Sequence, residues 1–389
     1  MLRRETSLGV LASLVLGSTA LAQTPPLLPQ FTATALPDQL GGLPTGSDRD
    51  GGSSAEANGV NFWIFDDTQV FSPGYDFVTN SLAATVNPAG PDGITLELND
   101  GGSEPAQALP YSAGETDYNT QHAVPYGSTW KDENCPAKAN CGSLYKLWPY
   151  SFVYDAKDKQ FISSFTDFVA TPTASGWAYT AAGTGLSTGT FDAENAWPVL
   201  TRPTQSTSSD PVLKTLLWPA GTQSFTDSAF IDGDYYYQYG DAGSGAQVFL
   251  ARVQIRGAGH SFADLTNPAS WQYYHGAGAW DNNPTELFSL FSGGNEGFPV
   301  FFDHYLGLWV TLYIPPLSQQ VEMRVARQPA GPWSDAVMAF NGVNIGGAIN
   351  YAPHVHLHLA ADKGQTVYLS YSSLGGGDVP FLEKIVFSR

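Results

Sequence analysis

The chain has 389 residues and a formal net charge of −19, with 42% hydrophobic and only 14% charged residues. Apolar content of that order supplies a core, while the acidic balance excludes partners bound through phosphate neutralisation, nucleic acid first among them. The 41 Gly, 27 Pro and 19 Tyr point to many short strands and turns, hence to an all-β chain of two or three domains or one repeat fold.

Met1 to Ala22 reads as a secretory signal. Arg3 and Arg4 form its basic start, Leu8 to Gly17 its apolar centre, and Ala20-Leu21-Ala22 its small-x-small cleavage site. Elsewhere no run approaches the ~20 apolar residues of a membrane span. A secreted, extracellular protein beginning near Gln23 is therefore expected, with no membrane partner and acting as a monomer. Residues 23–46 read as a tail with one edge strand at Phe31–Leu36, and residues 47–389 as a single domain.

Ser47 to Thr68 holds two strand-like runs joined by Asn58-Gly59. Asn-Gly favours the tight hairpin turn because both residues accept positive φ. In an antiparallel hairpin the start of one strand lies beside the end of the other. Asp50 should then neighbour Asp66 and Asp67, and two carboxylates brought together can divide acid and base work.

The pattern of apolar run, polar turn and aromatic run returns four times, at Tyr150–Phe165, Ser228–Tyr239, Phe298–Tyr313 and His354–Tyr371. Its aromatic halves are spaced about 60 to 100 residues apart, and further strand-like pieces follow several of them. Five such units predict a five-bladed β-propeller of antiparallel blades, with a β-sandwich as the other reading. A propeller must close on itself, so a strand from one end of the chain should join the blade formed by the other. Residues 171–225, rich in Thr, Ser, Gly and Pro, read as the outer part of the second blade with long loops.

In a propeller the first strand of each blade lines the central channel. Asp50, Trp148, Tyr150, Asp227, Glu296 and His354 then converge on one mouth, a polar and aromatic pocket of the kind sugars occupy. Asp227 reads as a hydroxyl ligand or a carboxylate tuning its neighbours, and equally as a turn residue. Glu296, in Gly293-Gly294-Asn295-Glu296-Gly297, reads more readily as loop. Alternation places His354, His356 and His358 on one strand face, either lining the channel or forming a metal comb. Trp148 and Tyr150 serve as sugar platforms or as core. Cys135 and Cys141, the only cysteines, suit a disulfide closing a small loop in an oxidising compartment. No nucleophile elbow, phosphate loop or zinc-protease motif is present.

The string Arg49-Asp50-Gly51-Gly52, with Phe62-Trp63-Ile64-Phe65-Asp66-Asp67-Thr68 after it, resembles an RDGG…WxFGDT signature. That signature belongs to a family of secreted five-bladed propellers that includes the endo-D-arabinanases cutting mycobacterial arabinan. Weaker echoes run in order through Leu147-Trp148-Pro149, Asp232-Gly233-Asp234, Gly331-Pro332-Trp333 and Tyr368-Leu369-Ser370-Tyr371. The resemblance implies an inverting, endo-acting glycoside hydrolase of arabinan-like or other furanose polysaccharide. It carries over Asp50 and Asp67 as the acid–base pair and at most one of His354 and His356 at the substrate mouth; Arg49, Asp66, Trp148, Tyr150, Asp227 and Glu296 are the further candidate substrate contacts. It implies no required cofactor, although related propellers carry a channel calcium. The chain departs from the signature at Asp66, which stands where the family has glycine. A propeller that binds carbohydrate without cutting it is the rival expectation, and a structural or adhesion protein a third.

Overall fold

A computed structural model describes residues 24–36, 47–70, 77–85, 105–123, 141–174, 176–192, 196–242, 247–293, 297–343, 345–374 and 380–388. The signal segment, Cys135 and Glu296 lie outside these residues, and so does the Cys135–Cys141 pairing.

The described chain is mostly β, and every strand pairing is antiparallel. The first sheet joins Ser53–Ala57, Val60–Phe65 and Ser81–Thr85. Asn58 (φ 55°) and Gly59 (φ 79°) make the turn expected of them. The second sheet is built from Leu144–Asp155, Gln160–Thr173, Gly176–Phe191 and Pro198–Thr201. Ser228–Asp232, Tyr235–Asp241, Gln247–Gln254 and Trp271–Tyr274 form most of the third. The fourth holds Val300–Asp303, Leu308–Tyr313, Gln320–Ala326 and Val337–Asn341. The fifth holds Asn350–Val355, Thr366–Ser373 and Phe381–Ser388, and Gln30–Leu36 pairs with its last strand from Gln30↔Ser388 to Leu36↔Leu382. The two ends of the chain thus share one sheet.

Apolar side chains are buried between successive sheets. Phe62 and Ile64 meet Phe152, Phe161 and Phe165 between the first and second, and Ile162 and Leu186 meet Tyr236 and Trp271 between the second and third. Tyr239 and Leu250 pack with Trp309 and Tyr313, and Val310 and Leu312 with Val367 and Ile385. Trp63 and Phe65 then meet Tyr368 and Leu382, which joins the fifth sheet to the first. Each large ring so buried contributes about 1.5–3 kcal/mol, and together they hold the sheets in a closed order. The first strands of these five sheets face one cavity of about 470 Å³.

Three elements depart from expectation. Gly176–Phe191 is a 16-residue outer strand of the second sheet, longer than the mixture of outer blade and long loops expected for residues 171–225. Its small residues carry no hydrophobic alternation, and Gly185 and Gly189 allow the carbonyls of Thr215 and Val199 to approach within 2.7 and 2.2 Å of where a Cβ would stand. Ala113–His122 is a helix started by a reciprocal Ser112–Glu115 capping box. The third is the run from His354 to Leu359, which is not one strand: pairing slips between Tyr351 and His354, the strand ends at Val355, and Leu357–Leu359 is a 3-10 turn.

Candidate active site

The hairpin carrying the signature acids continues past them. Ser53↔Ile64 on one side and Arg49↔Thr68 on the other share one register, with Asp50, Gly51 and Gly52 facing Phe65, Asp66 and Asp67 between them. At the acids the ladder kinks. The Asp50 amide donates to the Asp67 carbonyl (3.2 Å), while the Asp50 carbonyl accepts from the Asp66 amide (3.0 Å), so two residues of one strand face one of the other. Gly51 (φ 68°) and Gly52 (φ 112°) supply the backbone angles that divide the ribbon into two sheets, the smaller being Ser47–Arg49, Thr68–Val70 and Phe77–Val78.

The kink sends the two carboxylates to different neighbours. Asp50, 9% exposed, accepts from the Tyr351 hydroxyl (3.1 Å) at the start of the fifth sheet. Asp67 reaches the second sheet, where its Oδ2 takes a charge-assisted bond from Lys146 and its Oδ1 a bond of 2.8 Å from the Trp148 indole. Asp66 lies over the Gly51 backbone, where a Cβ would stand 2.6 Å from its Oδ2. Arg49 is buried with its guanidinium 5.1 Å from the centre of the Phe65 ring.

Tyr150, Asp227 and His354 line the central cavity. They meet at Gly297, whose amide donates to Asp227 (3.2 Å) and whose Cβ position lies 3.7 Å from Tyr150 and 3.9 Å from His354. Burial, and then the nearby Asp241, push the Asp227 carboxyl well above the usual carboxylate range. Burial lowers His354 to about 4, leaving its imidazole neutral at pH 7. Trp148 is not on the cavity wall; its indole packs 4.4 Å from Phe168.

The histidine comb is corrected by the 3-10 turn. His354 and His358 reach the cavity, whereas His356 is fully buried. Its Nδ1 meets Ser54 Oγ at 2.7 Å and its Nε2 meets Ser370 Oγ at 2.8 Å, and its ring lies 4.4 Å from that of Trp63. Among the described residues no group of three or more His, Cys, Asp or Glu could hold a metal ion. The cavity wall carries the imidazoles of His354 and His358, several hydroxyl groups and the carboxyls of Asp227 and Glu56.

Sequence reasoning missed Lys146, which supplies the charge beside Asp67, and Tyr351, which holds Asp50. Neither carries a local signal, because both come from other sheets. It also missed Phe77, Trp177 and Tyr179, which gather around Lys146 and Trp148.

The frame is thus a ring-ordered set of antiparallel sheets with a polar central cavity and aspartates at the kink of its first hairpin. The chain belongs to the family described as "Domain of unknown function (DUF4185)", whose profile matches residues 151–376, more than half of its length. No curated protein matches it. Among solved structures it is similar to a Bacteroides ovatus protein provisionally designated a hydrolase, at 14% identity and a TM-score of 0.52, covering 87% of this chain and 85% of that one. It is also similar to the GH43_1 enzyme from Xanthomonas citri complexed with xylotriose, at 13% identity, 88% coverage of both chains and a TM-score of 0.44. A family 117 glycoside hydrolase of Zobellia galactanivorans follows, at 11% identity, 93% and 91% coverage and a TM-score of 0.43. At such identity the first of these speaks for the fold alone.

Proposed function

We propose that the chain is a secreted five-bladed β-propeller that hydrolyses furanose-containing polysaccharide, arabinan-like in the first instance, with Asp50 and Asp67 as its acid–base pair. The observation that carries this reading is the kinked hairpin. It joins two aspartates through the backbone, yet anchors one carboxylate to Tyr351 and the other to Lys146 and Trp148. Different anchors for the two carboxylates are what an inverting pair, with a glycosidic bond and a water between its members, calls for. Asp67, bonded to an ammonium group, acts as the anion and takes a proton from the attacking water. Asp50 carries the proton given to the leaving sugar oxygen, and the anomeric carbon exchanges its glycosidic bond for one to water. Asp227, whose carboxyl burial shifts toward the protonated form, hydrogen-bonds a sugar hydroxyl. An inverting reaction requires the two carboxyl groups to stand roughly 6.5–9.5 Å apart.

The test is product analysis on D-arabinan, L-arabinan and galactofuranan. Release of oligosaccharides with inverted anomeric configuration supports the reading; no release by the wild type from any of the three overturns it. One observation favours the non-catalytic alternative: both Asp67 oxygens already have partners. A carbohydrate-binding propeller would therefore be retained by a polymer it never cuts.

A further inference from the structure

The second sheet extends beyond the candidate site as a long hairpin, Gln160–Thr173 with Gly176–Phe191, paired out to Gly176↔Thr173. Side chains on a strand repeat every second residue, so Lys146 and Trp148 share a face, as do Trp177 and Tyr179. These residues converge. The Tyr179 ring lies 5.3 Å from Phe168 at 83° and 5.7 Å from Trp148 at 53°. The Lys146 ammonium is 4.5 Å from the Phe77 ring centre and 5.7 Å from that of Trp177. Phe77, Trp177 and Tyr179 are 39%, 43% and 53% exposed, although aromatic rings of this size are usually buried far more deeply.

We infer that this aromatic face is a binding platform for the sugars of a polysaccharide chain that continues away from Asp67. The inference rests on the hydrolase reading for its direction, since Lys146 and Trp148 bond to Asp67 on one side and touch the exposed rings on the other. Tyr179 is fixed edge-on against Phe168 of the adjacent strand, and Trp177 and Phe77 lie against the Lys146 ammonium. Flat rings so held suit the apolar C–H faces of furanose or pyranose rings, which stack without insertion. A protein partner would instead call for a larger apolar patch with pockets to receive anchoring side chains. The net charge of −19 on the chain repels anionic polymers and favours neutral glycans as the occupant.

The test uses the whole chain with Trp177→Ala, Tyr179→Ala and Trp177→Phe. Each is assayed for cleavage of, and for electrophoretic retardation by, D-arabinan, L-arabinan and galactofuranan. The alanine variants should raise KM for the polymer about tenfold relative to its change on a nitrophenyl furanoside and should lose retardation, while Trp177→Phe retains most of both. If the wild type cuts polymer and both alanine variants keep its KM and retardation, the platform is wrong and the hydrolase reading survives. If the wild type is retarded without cutting, and the alanine variants are not, the platform stands and the hydrolase reading falls. Retardation of the wild type by none of the three polymers overturns the platform.

Discussion

Asp50 and Asp67 face each other across one hairpin, amide to carbonyl at 3.2 Å, yet their carboxylates are held by different sheets. Pairing through the backbone with divergence through the side chains is what makes them candidates for divided acid and base work.

That division predicts unequal variants. Asp67→Asn should lower kcat on polymer and on nitrophenyl furanosides alike, by about 10²–10⁴-fold. Asp50→Asn should lose as much on polymer but retain substantial activity on nitrophenyl furanosides, whose leaving group needs no proton. Equal losses on both substrates for both variants would remove the assignment of roles.

Asp67 also neutralises a buried cation. Asp67→Asn leaves Lys146 without its anion and should cost about 3–5 kcal/mol in urea-unfolding stability. Adding Lys146→Met should recover most of that stability without recovering activity. Recovery of activity by the double variant would make Asp67 structural only.

Gly51 combines a φ of 68° with a Cβ position 2.6 Å from Asp66 Oδ2. Gly51→Ala should destabilise by about 1–3 kcal/mol. In the double variant with Asp66→Gly the steric part disappears and only the backbone part remains. A double variant as unstable as the single one would show that Asp66 does not press on this turn.

Burial sets His354 at about 4 against 6.5 when unfolded, so the unfolded chain takes up the proton first. The His354 contribution is therefore intact above pH 6.5 and is lost as pH falls toward 4, by about 3 kcal/mol at the end. Asp227, displaced upward, contributes with the opposite sign. The difference between wild type and His354→Gln isolates the histidine: the wild type should lose Tm faster than the variant between pH 6.5 and 4. Parallel curves would place His354 in contact with water.

The hairpins were legible where local rules act alone. Asn58-Gly59 fixed its turn and its register, and Tyr235 to Tyr239 pairs with Ser228 to Asp232 as its pattern implied. The length of Gly176–Phe191 was illegible because, Leu186 apart, its buried middle is made of Gly, Ser and Thr, which show no hydrophobic alternation. His356 was misplaced because a register slip and a 3-10 turn interrupt the alternation that strand reasoning assumes.

The sequence by itself determined that Asp50 would meet Asp66 and Asp67, because a short turn leaves an antiparallel ribbon only one in-register pairing. Tertiary structure alone decided what each carboxylate touches. Lys146 lies 79 positions from Asp67 and Tyr351 lies 301 from Asp50, and only the packing of separate sheets brings such distant groups within bonding range.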